Sequence, residues 1–89
     1  MSYRRVQRAF PSWDFQYDDK ILVGRRGRYQ IMVCFLGSGY YGDLIRVTPW
    51  RYPMPRPAER EVLQQHTSED PVELVAELVA WCYREGDLW

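Results

Sequence analysis

The sequence predicts an α+β fold: an antiparallel meander of three to four strands packed against one C-terminal amphipathic helix. Three observations predict it. Trp13, Phe15 and Tyr17 alternate with Asp14, Gln16 and Asp18, the period of a half-buried strand. Residues 28–36 form a longer run in which both alternating sets are largely apolar. Beyond Asp70, the residues Leu74, Val75, Leu78, Val79 and Cys82 recur at helical spacing and make one apolar stripe.

Residues 1–12 show no convincing period, and Phe10-Pro11-Ser12 reads as a break. The first strand follows from Trp13. Asp18 and Asp19 turn the chain, and the short run 20–23 pairs back on it. Gly24-Arg25-Arg26-Gly27 reads as the next turn, its glycines supplying the positive φ that a tight connection needs. In the run 28–36, Tyr29, Ile31, Val33 and Phe35 face one side and Gln30, Met32, Cys34 and Leu36 the other, which places it at the centre of the sheet. Gly37, Gly39 and Gly42 mark 37–42 as a loop with Tyr40 and Tyr41 at its tip. A strand over 44–48 follows, stopped by Pro49.

Pro49, Pro53, Pro55 and Pro57 favour extended geometry, so 49–57 reads as the crossing from sheet to helix. A short helix is expected over 58–66, anchored by Val62 and Leu63. For the main helix, Asp70 is the N-cap, Pro71 takes the first helical position and Glu73 completes the capping pattern. Gly86 reads as the residue that ends it.

With 89 residues, the chain suits one domain: an N-terminal segment 1–12, a meander 13–48, a proline-rich crossing 49–57 and a helical part 58–86. That length buries a modest core without disulfides or metals. The longest uninterrupted apolar stretch, 31–36, is far below the ~20 residues of a membrane span. The basic start leads into no hydrophobic segment, so a cytoplasmic location and no membrane association are expected. Cys34 and Cys82, far apart and in no CxxC, read as free buried thiols.

The formal net charge is zero but uneven. Residues 1–60 carry eleven Lys/Arg against five Asp/Glu, and residues 61–89 one Arg against seven Asp/Glu. Two arrangements fit: a basic and an acidic face, or an acidic helix lying near a basic sheet.

Catalysis needs convergent groups. The single histidine, His66, falls in a surface or helix-end context, and Ser12, Ser38 and Ser68 fall in turns or caps. The expectation is no enzyme, no catalytic set, no cofactor and no metal site. The glycine-rich stretch 37–42 lacks the Gly-Lys-Ser/Thr ending of a phosphate loop, and 49–57 contains no PxxP spacing.

Binding is better supported. Aromatic residues make up 16% of the chain, more than one small core readily hides, and Trp, Tyr and Arg dominate interface energetics. The candidate contacts are Arg25, Arg26 and Arg28 at one turn, Tyr40 and Tyr41 at another, and Trp50, Arg51 and Tyr52 in the crossing. The leading expectation is a small non-catalytic protein-binding domain, an inhibitor or adaptor that occludes a partner's surface. In size and in lacking a catalytic set it is similar in type to small phage-encoded inhibitors of bacterial defence complexes. The alternatives are a nucleic-acid-binding module and a homo-oligomeric component. The first would join the turn arginines, with Arg4, Arg5 and Arg8, to interleaved aromatics such as Tyr3, Trp13 and Tyr29. The second would pair an uncovered sheet face in a homodimer.

Overall fold

A computed structural model describes residues 3–18, 20–48 and 59–86. The fold is α+β. A short helix α1 (Tyr3–Ala9) precedes five strands, β1 (Asp14–Asp18), β2 (Ile21–Arg26), β3 (Tyr29–Phe35), β4 (Tyr40–Thr48) and β5 (Glu59–Ser68), and helix α2 (Pro71–Arg84) follows. The strands form one antiparallel sheet in the order β1-β2-β3-β4-β5, open at β1 and β5. Strand β3 lies at its centre, as its two apolar faces imply.

Both helices lie on one face. Helix α2 packs on β3, β4 and β5, while α1 packs on β1 and against α2. The register sets the residues of that face in rows: Phe15, Gly24, Ile31 and Leu44 in one, and Leu22, Val33 and Gly42 in the next. They meet Leu74, Val75, Leu78, Val79 and Cys82 of α2, together with Val6 of α1, in one core. The apolar stripe of α2 is therefore what the sheet needs as a cover. The helix starts at the cap its sequence implies: the Asp70 carboxylate accepts from the Val72 N–H at 2.9 Å, with Pro71 in the first turn. Glu73 does not complete the capping pattern, because the Asp70 N–H donates to the Ser68 hydroxyl at 3.2 Å and Glu73 accepts from that hydroxyl at 3.4 Å.

Several elements differ from the sequence reading. Residues 59–68 are a strand and not the helix expected over 58–66. The segment offers a helix only two adjacent large apolar side chains, whereas β4 offers it a full antiparallel partner from Tyr40 to Thr48. A register shift beside Leu44 and Ile45 lets Leu63 pack on the core while Val62 turns to the solvent. Tertiary pairing thus overrides weak local preference.

Helix α1 escaped the sequence reading because only one of its described side chains, Val6, is fully buried. Gln7 secures it instead. Its side-chain amide donates to the Trp13 carbonyl at 2.7 Å, and its side-chain oxygen accepts from the Phe15 N–H at 2.9 Å.

The turn read at 24–27 is shorter than expected. Strand β2 continues to Arg26, and Gly27 and Arg28 alone close the hairpin, with Gly27 at φ 59°. Gly24 stays in the strand, where its missing side chain leaves room for the Phe15 ring. Likewise Gly42 is a strand residue over which α2 closes. A β-carbon there would lie 3.0 Å from Leu74. Gly86 does not end α2 through a positive φ. Glu85 caps the helix by donating its N–H to the Trp81 carbonyl, and Gly86 admits the Tyr29 hydroxyl, which a β-carbon would approach to 2.5 Å.

The face opposite the helices carries Ile21, Val23, Met32, Cys34, Tyr41, Asp43 and Ile45. Cys34 on this face and Cys82 under α2 are separated by the sheet, and both thiols are free. No helix among the described residues is long and apolar enough to cross a membrane.

Candidate functional site

The hairpins divide the predicted contact residues between two ends of the sheet. Turn 27–28 stands at one end. The β1–β2 and β3–β4 turns stand at the other, with the start of α2. Arg25, Arg26 and Arg28 therefore lie a full length of β3 from Tyr40 and Tyr41, about 20 Å at ~3.3 Å per residue. The structure does not bring the two predicted sets together. Trp50, Arg51 and Tyr52 lie outside the described residues.

Tyr40 and Tyr41 do not share a loop tip. Both belong to β4, so they point to opposite faces. The pairing of Phe35 with Tyr40 starts the ladder earlier than the glycine spacing suggests, because Gly39 closes on the Ser68 backbone and Gly42 on α2. Tyr40 is half-buried and packs on the edge of the core. Its ring meets Phe35 at a centroid distance of 5.2 Å, tilted by 50°. Tyr41 sits on the helix-free face. Hydrogen bonding to Asp43, then burial, then the Asp43 charge hold its phenol above the usual tyrosine range.

The end that holds Tyr40 carries an aromatic cluster that sequence reasoning missed. Tyr17, Phe35 and Leu36 are 51%, 58% and 60% exposed, so each leaves more than half of a large side chain in water. Tyr17, Phe35, Tyr40 and Lys20 line a hollow of about 270 Å³. On its other flank Tyr40 walls a second hollow, of about 320 Å³, with Leu36, Ser38 and Glu69. Tyr40 thus walls both depressions, in which Tyr17, Phe35 and Leu36 stand beside polar groups such as Lys20, Ser38 and Glu69. Lys20 sits at φ 69°, in the left-handed region, where a residue with a β-carbon pays about 1–2 kcal/mol. The alternation that placed Tyr17 and Phe35 on the core side was correct. Phe35 lies one row beyond the covered Leu22–Val33–Gly42 row and Tyr17 at the β1 edge of that row, and only the helix position reveals that both are left exposed.

The arginines of the other end part company. Arg25 and Arg26 are neighbours in a strand and face opposite ways. Arg26 donates to the Tyr83 hydroxyl at 2.6 Å, and its guanidinium lies 5.8 Å from the ring centre of Tyr83 on the helix side. Arg25 and Arg28 instead border a shallow hollow of about 280 Å³ on the helix-free side, joined by Arg60 of β5. The N-terminal arginines do not extend this group. Arg5 is drawn to Asp70, 3.0 Å away at the start of α2. With the Arg46–Glu61 pair at 2.6 Å, this contact gives part of the charge polarity an internal explanation. Both pairs are exposed and each contributes about 0–1 kcal/mol.

His66 contacts the Glu77 carboxylate at 3.2 Å and sits in no group of three or more metal-ligating side chains among the described residues. No family model, curated protein or solved structure matches the chain.

Proposed function

We propose that the chain is a non-catalytic protein-binding domain, and that its contact surface is the aromatic end of the sheet. The observation that carries this reading is the convergence of Tyr17, Phe35 and Leu36, each more than half exposed, on the ring of Tyr40. Small proteins seldom leave contiguous large apolar side chains in water without a use for them. Burial by a partner of the part of Phe35 or of Leu36 that is still exposed would in each case gain about 1–2 kcal/mol of transfer free energy. The strained backbone at Lys20 supports the same reading, since glycine would fit there more cheaply but would remove an ammonium group from the rim of the hollow.

The partner that fits is a protein segment with an apolar side chain for the hollow and a carboxylate for Lys20. An inhibitor or adaptor acts in this way, by covering a surface and doing no chemistry. The test is capture from a source-cell lysate treated with nuclease, comparing the wild-type chain with Phe35→Ala/Leu36→Ser. The expected result is a stoichiometric protein lost with the double variant, whose exposed positions leave the melting temperature unchanged. Equal capture by both chains overturns the reading. A dimeric mass that falls to a monomeric one in the variant replaces the foreign partner by a second copy of the chain.

A further inference from the structure

We propose a second site at the opposite end of the molecule: a phosphate-binding hollow on the helix-free sheet face, formed by Arg25, Arg28 and Arg60, that takes the backbone of single-stranded nucleic acid. The hollow is bordered by these three arginines with Gly27, Gln30 and Val47, and no carboxylate of a described residue lines it. Three separate parts of the chain supply the cations: Arg25 comes from β2, Arg28 from the β2–β3 turn and Arg60 from β5. The fold holds them there. Arg25 pairs with Gln30 across β2 and β3, and Arg60 pairs with Val47 across β4 and β5. The Arg28 carbonyl accepts from the Val47 N–H at 2.8 Å, which ties the turn to β4.

Three other arginines are occupied, Arg5 by Asp70, Arg46 by Glu61 and Arg26 by Tyr83, while Arg4, Arg8 and Arg84 lie exposed on the helices, away from the hollow. Arg25, Arg28 and Arg60 have no ion pair with a described residue. Asp14, the cross-strand partner of Arg25, offsets part of its charge, while the remaining repulsion among Arg25, Arg28 and Arg60 is relieved by an anion in the hollow. A guanidinium presents parallel N–H donors that match two oxygens of a phosphate. Gln30, only 8% exposed, is the neutral polar group at the floor.

The hollow is shallow and lies on a sheet, so an extended strand can cross it, whereas a free mononucleotide would need enclosing walls. Asp14 stands directly across from Arg25 and Asp43 lies further along the same face, which restricts the contact to a few phosphates near the arginines. This site and the aromatic end lie at opposite ends of the sheet, so either reading stands or falls without the other.

The test is fluorescence anisotropy of a short labelled oligothymidylate titrated with the full chain across a range of sodium chloride concentrations. Three phosphate contacts predict a slope of log K against log salt of about −2, and each loss of one contact reduces it by about 0.7. Arg25→Gln, Arg28→Gln and Arg60→Gln are each expected to weaken binding and flatten the slope. Arg4→Gln and Arg8→Gln, exposed on α1, are expected to leave both unchanged. Absence of binding at low salt overturns the proposal, as does equal weakening by the α1 variants, which marks a diffuse charge effect. Binding of a phosphopeptide in the same hollow with none of the oligonucleotide also overturns it. Retention of the melting temperature by each variant shows that the fold is intact.

Discussion

Gly24 of β2 lies beneath the aromatic ring of Phe15, its cross-strand partner in β1, and a β-carbon at Gly24 would run into that ring. Phe15 is 1% exposed and held among core residues, so it has no room to withdraw. Gly24→Ala is therefore expected to destabilise the domain by about 1–3 kcal/mol, the usual cost of overpacking. Equilibrium urea unfolding checks it through a lower midpoint at unchanged slope.

Asp70 does two things. One carboxylate oxygen caps α2 through the Val72 N–H, and the other meets Arg5 of α1. Asp70→Ala is expected to cost about 0.5–2 kcal/mol, most of it through the cap. Arg5→Ala is expected to cost no more than about 1 kcal/mol, because the pair is exposed. A double-mutant cycle followed by chemical denaturation separates the two.

Gln7 is the hinge pin of the N-terminal helix. Its side chain serves the Trp13 carbonyl and the Phe15 N–H, part-buried groups that no water replaces without rearrangement. Gln7→Ala removes both hydrogen bonds and is expected to cost about 1–3 kcal/mol. Hydrogen exchange is expected to speed first at the Phe15 amide and in α1, ahead of the central strand β3. Uniform exchange changes across the sheet would contradict this account.

Tyr41 and Asp43 stand two residues apart on the helix-free face. Because Asp43 raises the Tyr41 phenol above its ordinary value, the folded chain holds that proton more tightly than the unfolded chain. The resulting stability is fully present below the ordinary phenol value and is lost as the pH rises through the folded one. Ultraviolet absorbance of tyrosinate is expected to report one phenol ionising above the ordinary range, and Asp43→Asn to bring it down.

Much of the architecture follows from local pattern. The alternation at Trp13–Phe15–Tyr17, the two-sided apolar run around Ile31 and Val33 and the Asp70-Pro71 start of α2 each carry a periodicity or a cap that neighbouring residues enforce. Where those signals were weak or ambiguous, the reading failed. A glycine signals a turn or a close approach with the same letter, and Gly24 and Gly42 proved to be close approaches. Residues 59–68 carry too few apolar groups to declare either period, and they became a strand because β4 had an edge to fill.

The candidate surfaces divide in the same way. Local pattern alone points to an α+β meander with a C-terminal helix, and composition to more aromatic side chains than one small core hides. Which of them are left exposed depends on how the elements pack. A period-two pattern assigns a side chain to a face of a sheet, but where the cover on that face ends depends on the placement of the helices. So Trp13 and Phe15 are buried while Tyr17 and Phe35 are not. Strand pairing, through contacts remote in sequence, likewise sent Arg26 to Tyr83 and set Arg60 beside Arg25 and Arg28.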